Sequence, residues 1–170
     1  PWFHDQFFAD KLQKIKDAVK PFVVLPCYIG LASIAFAIEA IHILGGAKYS
    51  KSVDCVAPIV IGVVCQTIYT HYVDIEMHFK KTQIVAIGTL LAALLNISLN
   101  YYFIPHYGYI AAAYTTLASY LALLVLHFSI CRWKFNIYLY DDKFMFLALL
   151  VTSIVGWLIV MTYPYTELRY

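Results

Sequence analysis

This sequence is short of charge. Asp, Glu, Lys and Arg make up 13% of its 170 residues, against about a quarter in a soluble domain. Hydrophobic residues make up 62%, and the mean hydropathy is +0.73. That balance indicates a membrane protein. The net charge of +2 is too small to imply a nucleic-acid partner. Cysteine is also sparse. Cys27, Cys55, Cys65 and Cys131 form no C-x-x-C pair and lie near no histidine at metal-ligand spacing. Three of them, Cys27, Cys65 and Cys131, read as small hydrophobes within or beside apolar runs.

Other absences narrow the chemistry. No glycine-rich phosphate loop, Ser–His–Asp set or metal-ligand cluster is present, so no enzyme activity, cofactor or metal is expected. Asp141–Asp142 lacks the further spaced aspartates that a metal-dependent lipid-phosphate transferase needs, and reads as a solvated loop. No Lys or Arg lies deep in an apolar run, so no phosphate clamp is visible. The chain opens on Pro1 and shows no signal peptide. It is expected to be a fragment of a longer protein.

What is abundant is apolar sequence in spanning lengths. A membrane-crossing helix needs about 20 mostly apolar residues. The runs 21–44, 56–73, 83–103, 109–131 and 144–163 each qualify. The uncharged stretch 82–131 is too long for one span and divides at Ile104-Pro-His-Tyr-Gly108, which reads as a tight turn. The expected fold is therefore an all-α polytopic transmembrane bundle of about five spans over 21–163. A tail at 164–170 follows on the outer face, where the chain is expected to be truncated.

Basic residues set the orientation. With residues 1–20 in the cytoplasm, the inner segments hold Lys11, Lys14, Lys16, Lys20, Lys80, Lys81, Arg132, Lys134 and Lys143. The outer ones hold Lys48, Lys51 and Arg169. Phe8, Leu12, Ile15 and Val19 share one helical face, and Asp10 pairs with Lys14 at i,i+4. Residues 1–20 thus read as a cytoplasmic amphipathic helix on the membrane surface. Tyrosines near span ends fit interfacial aromatic belts.

Polar residues inside the runs are the candidate functional groups. Glu39 reads as the one acid within the bilayer, and His42 follows at i+3, so the two are candidates for proton coupling. A structural role for Glu39 near the Gly45–Gly46 loop is the alternative. Gln66, Tyr69 and Thr70 share a face that either lines a wet cavity or bonds to neighbouring helices. His127 reads as interfacial. Thr89, Ala92, Ala93, Asn96 and Asn100 form a polar stripe along the third span. Lipid offers amides no partner, so Asn96 and Asn100 are expected to face protein or water. On the fourth span, Ala111, Thr115 and Ser119 form a row of small residues, with Ala112 and Thr116 beside it. That pattern lets helix backbones approach closely. Asn96, Asn100, Gln66 and Tyr69 are the candidate substrate-path residues.

The order of these features resembles a known family. "HFKKTQIVAIGTLLAALLNISLNYYFIPHYGYIAAAYTTLASY" is similar to a segment of the bacterial polysaccharide, or oligosaccharide-lipid, flippases. That segment has a K-K-T helix entry, N-x-x-x-N near the outer end, I-P-x-x-G, alanines and T-x-x-S-Y. "LASIAFAIEAIHILGGAKYSKSV" resembles a second segment of the same family. The family is the polysaccharide-transporter branch of the multidrug/oligosaccharidyl-lipid/polysaccharide exporter superfamily. The resemblance covers residues 4 to 131. It implies most of the second lobe of a two-lobed flippase in the bacterial inner membrane. It also implies a lipid-linked oligosaccharide of the undecaprenyl pyrophosphate type as substrate. The implied partners are the bilayer and the N-terminal half of the transporter. A multidrug exporter of the same superfamily, or a membrane enzyme of sugar-lipid assembly such as a polymerase or acyltransferase, are the alternatives.

Overall fold

A computed structural model describes residues 12–164. Among them the fold is all-α. The helices are α1 Leu12–Ala35, α2 Ala37–Gly45, α3 Val56–His78, α4 Thr82–Tyr107, α5 Ile110–Ser129 and α6 Asp142–Met161. A 3-10 helix, Ala47–Cys55, leads into α3, and a π turn, Ile130–Lys134, ends α5. Five of these segments are long and apolar enough to cross a bilayer, and the chain is a multi-pass membrane protein.

The long helices run alternately up and down. α3 lies at the centre and packs on α1, α5 and α6, while α4 packs chiefly on α5. Each main interface includes a glycine. A side chain at Gly30 would meet Val60, one at Gly62 Tyr120, one at Gly88 Leu126 and His127, and one at Gly156 Ile34. Missing side chains let helix backbones approach, which substitutes for the hydrophobic drive that lipid cannot supply. Ile87, Leu90, Leu94 and Ile97 on α4, like Leu147, Leu150 and Ile154 on α6, point outward, where apolar side chains meet lipid without cost.

The first boundary differs from the sequence expectation. One helix runs unbroken from Leu12 through Pro21 and Pro26, so residues 12–20 are not a separate surface helix. Ile15 and Val23 are fully buried, Cys27 nearly so, and Val19 packs against the same core. These residues lie four apart and form one stripe across Pro21. Proline's fixed φ suits a helix and removes only one bond, and the continuous stripe outweighs that loss. Phe8 and Asp10 lie outside the described residues, as do Lys11 and 165–170 of the expected tail. The interruption comes instead at Phe36, between α1 and α2.

α3 continues to His78, past the expected end at 73, and carries Asp74 and Glu76 inside the helix. It stops where Lys80 adopts φ 55. There Lys81 N–H donates to Glu76 O and Lys80 N–H to Met77 O, the paired bonds of a Schellman ending. The α4–α5 turn is also shorter than expected. Pro105 lies within the last turn of α4, and the chain reverses at Gly108. A proline this near the helix end gives up a single bond, and the ring nitrogen of His106 meets Tyr102 O at 2.7 Å nearby.

Gly108 has φ 72 and ψ −165, a region open almost only to glycine. Gly108→Ala is expected to lower stability by about 1–3 kcal/mol, read as an earlier unfolding transition in detergent, with the hairpin partners unchanged.

Candidate functional site

Polar groups gather at two ends of the bundle. At the Gly108 end, Asn96 and Asn100 sit one turn apart on α4. Asn100 Nδ2 donates to Asn96 Oδ1 at 2.9 Å. The Thr115 hydroxyl of α5 lies 2.5 Å from Asn100 Oδ1, and 3.0 Å from Ala112 O. The i,i+4 spacing makes the first contact and the short turn makes the second. Among the described residues Asn96 Nδ2 has no hydrogen-bond partner, and both amides are half-buried. Ala111, Thr115 and Ser119 form a buried row facing α4. The rest of the expected stripe divides. Ala92 is buried, while Thr89 and Ala93 are exposed, and Thr89 bonds its own backbone at Val85 O.

Two surface hollows flank this ladder. One is an apolar groove of about 490 Å³ between α4 and α5, lined by Leu99, Phe103, Tyr107, Tyr114 and Thr115 among others. The other is a shallow crevice at Asn100, Tyr101, Tyr102, Pro105 and His106. The Tyr102 and His106 rings stack there at 5.3 Å.

Glu39 and His42 lie on α2 at the same end of the bundle. Glu39 is half-buried, with Oε2 enclosed and unpartnered, while His42 is exposed. Among the described residues no hydrogen bond or ion pair joins them. Tyr163, beyond α6, donates to Ile34 O at 2.6 Å. Burial first, then the charges of Glu39 and Asp54, push its phenol above the ordinary value. It therefore stays a donor and ties the end of α6 to α1.

At the opposite, Lys80 end the bundle holds groups that the hydropathy pattern hid. Glu76 of α3 and His127 of α5 are both fully buried, with His127 Nδ1 2.9 Å from Glu76 Oε1. Among the described residues Glu76 Oε2 and His127 Nε2 have no partner. The imidazole stacks on Tyr69 at 5.7 Å, and Tyr69 in turn on Tyr120 at 6.3 Å. Gln66, one turn earlier, is half-buried, and Thr70 faces outward. His127 is thus a core residue and not an interfacial one, and Glu39 is not the only acid in the spans. Glu76 was legible in principle. It follows Cys65, Ile68 and Tyr72 on one buried face, at helical spacing.

A second network closes this end. The Arg132 guanidinium pairs with the Asp142 carboxylate and donates to the carbonyl of Ile137. Tyr72 donates to Asp142 Oδ1 at 2.8 Å, and Cys131 Sγ to Tyr72 O at 3.4 Å. Arg132 also lies over the Tyr138 ring at 4.6 Å. Burial first, then the Asp74 charge, pushes the Tyr140 phenol upward, and among the described residues its hydroxyl is enclosed without a partner. Of the two adjacent acids Asp141 is exposed and Asp142 half-buried, and each has a structural partner. Asp141 caps α6 by accepting from Phe144 N–H at 3.2 Å, and Asp142 neutralises a buried arginine.

No family model, curated protein or solved structure matches this chain.

Proposed function

We propose that this chain is part of a membrane transporter that moves a lipid-linked oligosaccharide from the inner to the outer leaflet by alternating access. The observation that carries the reading is the ladder Asn96–Asn100–Thr115, set between an apolar groove and a crevice of tyrosine, histidine and amide. An amphipathic ligand needs both surfaces together. A long apolar tail fits the groove or the surrounding lipid, and a sugar needs the amide donors and flat aromatic rings. The spare Asn96 donor is unfavourable beside lipid and useful beside a hydroxylated headgroup. The ordered resemblance of residues 78–120 to the flippases supports the same reading. In it, the chain lies in a bacterial cell membrane with residues 1–20 and the Lys80 end on the cytoplasmic side. The N-terminal half of the transporter covers the exposed face of α4.

A photoreactive lipid-linked oligosaccharide tests this reading with the transporter in nanodiscs. Label is expected within residues 96–115, and Asn96→Leu with Asn100→Leu is expected to cut labelling at least tenfold, since two or more amide hydrogen bonds are lost, each worth about 1 kcal/mol. Equal labelling of the double variant, with unchanged thermal stability, sinks the assignment.

A further inference from the structure

The pair Glu76–His127 lies apart from the ladder and has no role in the reading above. Both side chains are fully buried, and they meet at 2.9 Å. Among the described residues, the two polar atoms that point away from this contact, Glu76 Oε2 and His127 Nε2, are enclosed without partners. Structural pairs in a membrane interior normally satisfy every polar atom, because nothing around them substitutes for water. Here two positions are left over in one site.

Counting protons shows what those positions can take. One proton occupies the Nδ1···Oε1 hydrogen bond. With that proton alone, the imidazole is neutral, the carboxylate is charged, and the pair has a net charge of minus one. A second proton on Nε2 or on Oε2 makes the pair neutral. Those are the two unpartnered atoms.

Among the described residues no Lys or Arg pairs with that charge. α3 presents Tyr69 and Tyr72 to the site, neither charged at neutral pH. From the α5 side come Cys131, whose thiol donates to Tyr72 O, and Arg132. Arg132 is held by Asp142 of α6, so those two cancel. α4 approaches with Gly88, whose side-chain position lies 3.2 Å from His127 Nε2. Its titratable residues begin only at Tyr101, about 20 Å farther along the helix. On α1, Asp17 and Lys20 pair with each other, while Lys14 is exposed and Lys16 half-buried. Lys80 and Lys81 on the α3–α4 turn are exposed. A net charge in such an enclosed place is strongly unfavourable.

We propose that Glu76 and His127 form a proton-binding site, which holds its second proton while α3, α4 and α5 are closed around it and releases that proton to water when they part. Release leaves a neutral imidazole and a carboxylate, and uptake restores the neutral pair, so no further reactant is needed. The site lies about one helical turn from the Lys80–Lys81 turn, so water reaches it from that end of the bundle. Coupling of this proton to movement of a substrate rests on the transporter reading; binding of the proton does not.

Infrared difference spectra of the protein in nanodiscs between about pH 5 and pH 8 test the site. A reversible carboxyl and imidazole change is expected in the wild type. Glu76→Gln and His127→Gln should each abolish it, and Glu39→Gln should retain it. Exchanging the residues, Glu76→His with His127→Glu, keeps the chemistry and should restore the change even where a single variant folds poorly. A wild type with no change, or a change that survives in both single variants, overturns the proposal. The same preparations are then given lipid-linked oligosaccharide in liposomes under a pH gradient. Lipid that crosses without the spectral change removes the proton site and leaves the transporter reading intact. The spectral change without crossing does the reverse.

Discussion

His127→Leu is expected to lower the stability of the bundle by about 3–5 kcal/mol, because it leaves the Glu76 carboxylate buried beside an apolar side chain. The cost comes from the group that remains, not from the contact that is removed. Glu76→Met combined with His127→Leu should therefore recover most of the loss, since an apolar pair of similar volume has no stranded charge. Denaturant unfolding in detergent micelles reads the four corners of this cycle. A large coupling between the two positions is the expected result. Additive losses would mean that the two side chains act independently, against the 2.9 Å contact.

Arg132→Met should have an effect of similar size, about 3–5 kcal/mol. The guanidinium bonds the Asp142 carboxylate and the Ile137 carbonyl, and is itself only 6% exposed. Its loss strands Asp142 and frees Tyr72 from a fixed acceptor. The consequence is local before it is global, because these bonds fasten the start of α6 to the end of α5. Limited proteolysis within 135–141 should accelerate well before the rest of the bundle opens. Arg132→Lys should rescue only part, since a single ammonium lacks the fork that reaches the carboxylate and the carbonyl together. Full rescue by lysine would show that charge alone matters at this position.

The spans were legible in the sequence because hydropathy reports lipid exposure directly. Four of the five long helices begin within two residues of their expected starts. The errors share one cause: a polar or proline residue was read as an end. The apolar run starts at Pro21, yet the stripe Ile15, Val19, Val23 and Cys27 runs straight across it. The apolar run stops at 73, just before Asp74 and Glu76, yet α3 continues and Glu76 extends the buried face of Tyr72. Of the expected turn Ile104–Gly108, only Gly108 lies outside the helix, and Pro105 belongs to its last turn. Hydropathy scores a buried acid as solvent-seeking, because the partner that neutralises it lies far away in sequence. Glu76 and His127 are 51 residues apart, and Arg132 and Asp142 are separated by a loop.

The candidate site was legible to the extent that its contacts are local. Asn96 and Asn100 are one turn apart, and the short α4–α5 turn brings Thr115 to them. The Glu39–His42 spacing also permits a contact, but His42 points outward and no bond forms. Spacing of three or four along a helix brings two side chains near each other without fixing their rotamers. The Asn pair is held because Thr115 supplies a third point, and α2 offers His42 no such neighbour.

The proposed function makes this chain part of a machine that carries lipid-linked sugar across a bilayer. The most direct test is transbilayer movement in liposomes that contain the protein in its complete transporter and a fluorescent undecaprenyl-linked oligosaccharide. Label placed in one leaflet should become accessible to a membrane-impermeant quencher from the other side, and Asn96→Leu with Asn100→Leu should slow that transfer. Label that stays in its original leaflet, with the protein correctly inserted and folded, would contradict the account.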